Sequence, residues 1–204
     1  DSESEARKVL VREMCGTLVT IAKDVKIQVE FNPAKVAAYR LIGYENRMLS
    51  KEDFNDDKKD AGDIGAGHTV TALYQVVPVG VKIGVPSVDK LKYSTNATPT
   101  AAGSDEMMTV KLRYKKPDGD KSTRMDIVVR DDGLSIDKCS KDFRFASSVA
   151  SFGMILRGSK YKGSYTMDAV VELAQSSIGD DPEGYRKEFV KLVKTARKLK
   201  SSER

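Results

Sequence analysis

Six side chains between residues 53 and 63 hold most of the chemistry this chain could offer. Asp53, Asn55, Asp56, Asp57, Asp60 and Asp63 are hard oxygen donors of the kind calcium takes, and Asp53-x-Asn55-x-Asp57 repeats the opening of a calcium loop. The match stops there. An EF-hand loop begun at Asp53 needs glycine at its sixth position and a bidentate glutamate at its twelfth, where this sequence has Lys58 and Ile64. The insert Glu45–Gly67 therefore keeps three readings: a solvated acidic loop, a short helix capped by Ser50, or a cation site of another design.

The other reactive residues do not assemble into a catalytic set. Gly62, Gly65 and Gly67 precede His68, but a phosphate loop needs a Gly-Lys-Ser/Thr ending that opens a helix. Here the glycines run into a strand pattern, so they are expected to ease the chain back into a sheet. His68 is the single histidine and has no serine or cysteine close to it to activate. The segment Ser147–Ser151 lacks a nucleophile elbow. Cys15 and Cys139 lie too far apart in sequence for a zinc motif; they read as two buried free thiols, or as a disulfide in an oxidising compartment. The chain is expected to be no enzyme and to carry no cofactor of its own, calcium at the insert being the one ion to test.

Composition narrows the partners. The chain has 204 residues, 40% of them hydrophobic and 32% charged, with no Trp and a formal net charge of +5. That content supports a packed core. The excess charge is confined to one region: residues 1 to 140 carry 22 Lys and Arg against 22 Asp and Glu, and residues 141 to 204 carry 13 against 8. No zinc-finger spacing, RNA-recognition aromatic signature or continuous basic run accompanies it, so nucleic acid is not an expected partner. No apolar run approaches 18 residues and the opening residues lack a signal-peptide pattern. Any export signal or membrane anchor is expected upstream.

The elements that must position these residues follow from periodicity. Ala6, Val9, Leu10 and Met14 stand at helical spacing and predict a helix over residues 4 to 14. It packs either on this chain's own strands or belongs to a preceding domain. From Leu18 the period falls to two: Val25, Ile27, Val29 and Phe31 alternate with Lys26, Gln28 and Glu30, a half-buried strand. Asn32 and Pro33 turn the chain into a second strand over residues 36 to 44, with Tyr39, Leu41 and Val36 inward. His68 to Val77 predicts another strand, ended by Pro78. Residues 77 to 94 suggest short edge strands or an extended connection, and residues 95 to 106 a loop. Met108–Tyr114 and Thr123–Arg130 flank Pro117, Asp118 and Gly119, which predicts a hairpin.

After Gly133 the pattern is helical. Phe143, Val149, Phe152, Ile155 and Leu156 predict one helix ending near Gly158, and Met167, Val170, Val171 and Ala174 a second ending near Gly179. A third is expected from Asp181 as N-cap and Pro182 at the first helical position, with Tyr185, Phe189, Leu192, Ala196 and Leu199 as its apolar stripe. Arg186, Lys187, Lys191, Lys194, Arg197, Lys198 and Lys200 form a basic stripe, read as a solvated face or as a docking face for an anionic partner. The expected fold is α+β. An antiparallel β-sandwich over residues 16–132 contains the acidic insert 45–67, about three helices follow over 133–204, and a helix over 1–15 precedes.

Residues 16 to 79 carry a further signal. GTLVTIAKDVKIQVEFNPAKVAAYRLIGYENR, EDF, DAGDIGAGH and TVTALYQVVP resemble a C-terminal domain that follows the von Willebrand factor type A domain in bacterial proteins, some labelled calcium-activated chloride channel homologues. LRYKKP and the helix from Phe143 continue the likeness more loosely. The resemblance implies an upstream type A domain as a partner within the same protein, with residues 1 to 15 as that domain's last helix. It also implies a cell-envelope location, periplasmic or surface-exposed, with membrane attachment only through an N-terminal anchor. A protein partner of unknown identity is implied as well. The metal-binding DxSxS motif of type A domains does not occur here, so metal-dependent adhesion is not carried over to this chain.

Overall fold

A computed structural model describes residues 19–43, 48–50, 52–59, 61–81 and 103–202. The helix expected over residues 4 to 14, Cys15, Asp60 and residues 82 to 102 lie outside the described residues. The chain divides into two compact units, Asp1–Asp131 and Asp132–Arg204. Among the described residues the first carries two antiparallel sheets and the second three α-helices, so the fold is α+β.

In the first unit, β1 (Thr20–Phe31) follows the predicted alternation and β2 (Val36–Ile42) follows the Asn32-Pro33 turn. Asn32 holds that turn, its side-chain oxygen accepting from the Ala34 amide at 2.9 Å and its amide nitrogen donating to the Glu106 carbonyl at 2.8 Å. A short strand, β3 (Gly62–Gly65), rises inside the insert, and β4 covers Leu73–Pro78. The strand expected from His68 therefore starts five residues later. His68 instead sits exposed in the turn after β3, its amide donating to the Gly65 carbonyl at 3.1 Å.

The hairpin is present as β5 (Glu106–Lys115) and β6 (Ser122–Arg130). One sheet runs β3-β1-β5-β6; β2 and β4 form a two-stranded sheet. Register places Ile27, Leu112 and Met125 in one row and Val29, Val110 and Ile127 in the next. These rows make one face of the large sheet apolar. At its Phe31 end the second sheet covers it: the Phe31 ring stacks on Tyr39 at 4.2 Å and meets Tyr74 edge-on at 5.4 Å. Phe31 and Val36 are buried, whereas Tyr39, expected inward, stays 55% exposed because only one ring face is used.

In the second unit, α1 (Lys141–Leu156) starts on Ser140, whose hydroxyl accepts from the Phe143 amide at 3.1 Å. It ends as Gly158 turns left-handed (φ 61°), with Ser159 N–H bonded to Met154 O and Gly158 N–H to Ile155 O. A side chain there would force the same φ at a steric cost. α2 (Met167–Ser176) is capped by Thr166. α3 (Tyr185–Ser202) begins later than expected. Asp181 still caps it, its carboxylate accepting from the amides of Arg186 at 3.2 Å and Lys187 at 3.0 Å across the turn that holds Pro182.

The helical core joins Phe152 and Ile155 to Met167, Val170 and Val171 and to Val193, with Phe189 packed against it. Two expected assignments are corrected. Leu192 and Leu199 are 56% and 64% exposed while Val190 and Val193 are buried, because a helix turns 100° per residue and the buried stripe lies one position over. Phe143, Val149 and Leu156 are likewise exposed on α1.

Candidate functional site

The polar face of the large sheet sets up an electrostatic problem that the acidic insert solves. Register places Lys26 of β1 opposite Arg113 of β5, and Arg113 opposite Arg124 of β6. Like charges directly opposite one another destabilise a sheet. Lys26 is also buried, at 3% exposure, and a buried cation needs a partner.

The insert supplies partners from a compact turn. Glu52–Phe54 form a short 3-10 helix with Ser50 and Asp53 bonded reciprocally, Ser50 Oγ accepting from Asp53 N and Asp53 Oδ2 from Ser50 N, each at 3.4 Å. This is a capping box at the position where a helix capped by Ser50 is expected. Phe54, buried at 5%, anchors it. Next, Asp56 Oδ1 accepts from the Lys58 amide at 2.9 Å, which closes an Asx turn. That turn aims the Asp56 carbonyl at Lys26 Nζ, which donates to it. Arg113 donates to Asn55 Oδ1 at 3.1 Å and to Asp57 Oδ1 at 2.9 Å, Ser122 Oγ donates to Asp57 Oδ1 at 2.6 Å, and Lys115 Nζ donates to the Asp57 carbonyl at 3.0 Å.

Asp24 completes the arrangement from the other side. Between Lys23 and Lys26 the β1–β5 ladder skips a residue, and Asp24 sits in that bulge with a positive φ of 50°. Its carboxylate accepts from Lys115 Nζ at 2.5 Å and from the Ala61 amide at 3.3 Å, while its own amide donates to Asp63 Oδ1 at 3.1 Å. One residue thereby ties β1 to β5 and to the returning arm of the insert.

These contacts set the proton affinities. The Ser122 hydroxyl, joined by the charges of Arg113, Lys115 and Lys26, outweighs desolvation and holds the Asp57 carboxyl below its ordinary range. The bond from Asp24 pushes the Lys115 ammonium up.

Of the six insert residues singled out in the sequence, Asn55, Asp56 and Asp57 converge on the sheet's cations. Asp53 serves the cap and lies 3.9 Å from Lys59 Nζ, Asp63 binds the bulge, and Asp60 is outside the described residues. Their partners Asp24, Lys26, Arg113, Lys115 and Ser122 carried no motif; the only signal was the predicted polar face of each strand. Among the described residues no three potential metal ligands cluster, and no helix is long and apolar enough to cross a membrane. Cys139 is a free thiol 3.6 Å from the Ser135 carbonyl; Cys15 is not described.

The basic stripe on α3 is partly committed as well. Arg186 donates to the carbonyls of Ser177 and Ile178 at the end of α2 and to Asp142 on α1, and lies over the Phe145 ring. Arg197 pairs with Asp168. Lys187, Lys191, Lys198 and Lys200 are exposed.

Comparison with known proteins places this geometry in a family. The family described as "Uncharacterized protein YfbK, C-terminal" matches residues 16–199. The protein "Uncharacterized protein YfbK" of Escherichia coli (strain K12) is 44% identical over 197 residues, which is 96% of this chain and 33% of that protein. The chain thus spans about a third of the length of this curated relative. No solved structure matches.

Proposed function

We propose that this chain, which belongs to the family of YfbK C-terminal domains, is a non-enzymatic protein-interaction module of a bacterial cell-envelope protein, working beside an upstream von Willebrand type A domain. The observation that carries the reading is the open end of the sheet's apolar face. Ile27, Met125 and Ile127 share that face and are 50%, 45% and 51% exposed, and adjoining exposed apolar residues mark contact surfaces. The charged groups of the opposite face are engaged as well, Arg113 and Lys115 with the insert, Lys111 with Glu30 and Arg124 with Asp126. A face built this way supports docking better than it supports proton transfer or nucleophilic attack.

The type A neighbour and the envelope location come from the resemblance carried by residues 16 to 79; the length of the YfbK relative beyond the matched third leaves room for such a neighbour. Pull-down and thermal melting of the longer protein, with and without residues 16 to 204, test the reading. Partners or stability that depend on those residues support it. Substituting Ile27→Lys together with Ile127→Lys in the longer protein should remove the same partners, and identical partners and stability in every version would overturn it.

The alternative, a cation-binding domain using the insert, has to contend with Arg113 and Ser122 already bonded to Asp57. A calcium ion taking Asp57 Oδ1 would compete with both.

A further inference from the structure

The outermost strand of the large sheet has an unusual lack of protection. β6 spans nine residues, Ser122–Arg130, and among the described residues no strand pairs with its outer edge. Edge strands discourage pairing with prolines, bulges or charged side chains, lysines above all; β6 has charges at Arg124, Asp126 and Arg130 only. The segment STRMDIVVR contains no proline and no lysine, and its ladder with β5 is regular from Ser122 to Val129. Met125, Ile127 and Val128 are 45%, 51% and 42% exposed.

We propose that this edge pairs antiparallel with the same edge of a second copy, in the register that sets Met125 opposite its own counterpart. Two requirements select that register. The first is that the apolar faces of both sheets be continuous. Residues directly opposite one another project to the same side, so pairing must match odd with odd and even with even positions; a centre between two residues would set Met125 against Asp126 and join an apolar face to a polar one.

The second is charge. Centred on Met125, the pairing places Arg124 opposite Asp126 of the second copy, twice by symmetry, with Thr123 opposite Ile127. Asp120 and Arg130 are brought opposite one another at each end. Centred on Asp126 it opposes two carboxylates, on Ile127 it opposes Arg124 and Arg130, and on Arg124 it opposes two guanidinium groups. A centre on Val128 opposes Asp126 and Arg130 favourably but engages only the strand from Asp126 onward, whereas the Met125 centre engages Ser122–Val128. Within one copy Arg124 already grips Asp126 through two bonds of 2.7 and 2.6 Å. In the pair, both residues join a four-membered alternating cluster. The product is an eight-stranded sheet related by a twofold axis, an isologous contact of the commonest kind.

The test uses the 204-residue chain with Cys15→Ser and Cys139→Ser. Met125→Cys should form an interchain disulfide under mild oxidation, since cross-strand neighbours fall within disulfide reach. Thr123→Cys and Val128→Cys should not. In sedimentation experiments without cysteine substitutions, Arg124→Asp alone and Asp126→Arg alone should each raise the dimer dissociation constant about tenfold or more, because two attractive cross-strand pairs become repulsive. An equimolar mixture of the two variants restores complementarity, and a heterodimer should form. A misfolded variant would not be rescued by mixing. A chain that stays monomeric into the millimolar range would overturn the proposal, as would crosslinking at Thr123→Cys or Val128→Cys in preference to Met125→Cys, or a mixture that associates no better than its components.

Discussion

Lys26→Met removes the buried cation of β1 while keeping a stem of similar length, which isolates the bond that holds the insert to the sheet. A hydrogen bond from a charged donor contributes about 1.5–3 kcal/mol. Relieving the opposition to Arg113, directly across the ladder, returns about 0.5 kcal/mol. The net loss is about 1–2.5 kcal/mol, a roughly five- to seventyfold rise in the fraction of molecules with the insert open. Amide hydrogen exchange reads this directly. The amides of Asn55, Asp56 and Lys59, bonded to the carbonyls of Glu52, Asp53 and Asp56, should exchange faster by that factor. Amides in α1 to α3 should not change. Lys58→Met, at an exposed position of the same loop, is the control. If the three amides keep their rates, or if Lys58→Met accelerates them equally, the insert is not held by Lys26 and the account of the polar face is wrong.

The same lock should be sensitive to pH at both ends. Asp57 has a lowered pKa, so its contribution is complete above the unfolded carboxylate value of about 4 and is lost as pH falls through the folded value. Lys115 has a raised pKa, so its contribution holds below about pH 10.4 and is lost as pH rises through the folded value. Urea midpoints measured from acid to alkali should fall at each extreme, with a weaker acid limb in Asp57→Asn. Val193→Ala, at a fully buried position of α3, should lower the stability of the helical unit by about 2 kcal/mol in denaturant titration; a loss under about 0.5 kcal/mol would mean that Val193 is not central to that core. Calcium should leave the melting temperature unchanged, because Asn55 Oδ1, Asp56 Oδ1 and Asp57 Oδ1 already accept from Arg113, the Lys58 amide and Ser122. A calcium-dependent rise that vanishes in the double variant Asp56→Asn with Asp57→Asn would restore the cation site.

Much of the scaffold was legible because it is written locally. The β5–β6 hairpin alternates from Met108 to Lys115 and from Ser122 to Ile127 around Pro117, Asp118 and Gly119, and α2 has both a Thr166 cap and a compact apolar stripe. β3 was not legible. Gly62, Asp63 and Gly65 are poor strand formers, and the segment pairs where the β1 bulge at Asp24 receives it. In α3 two adjacent apolar stripes compete, and hydrophobicity alone does not tell Val193 from Leu192; only the position of α1 and α2 does. The acidic cluster was visible as a cluster, but its role was not. Its partners lie far along the chain, as with Ser122 and Asp57 at a separation of 65 residues, and no local pattern announces such a meeting.

The strand order β3-β1-β5-β6 also governs the tempo of assembly. β1 must find β5 across a separation typified by Glu30 and Lys111, 81 residues apart, whereas the helices are joined by short turns. Chain closure over such a span slows folding, while local helical contacts form early. In stopped-flow refolding, helical circular dichroism should therefore recover before tyrosine fluorescence from the Tyr39 and Tyr74 cluster; simultaneous recovery would refute the ordering. Synthesis delivers the units in the opposite order, so the strands that emerge first would wait, with an apolar face uncovered, until β5 and β6 are made. The interval between those events is when this protein is most exposed to aggregation.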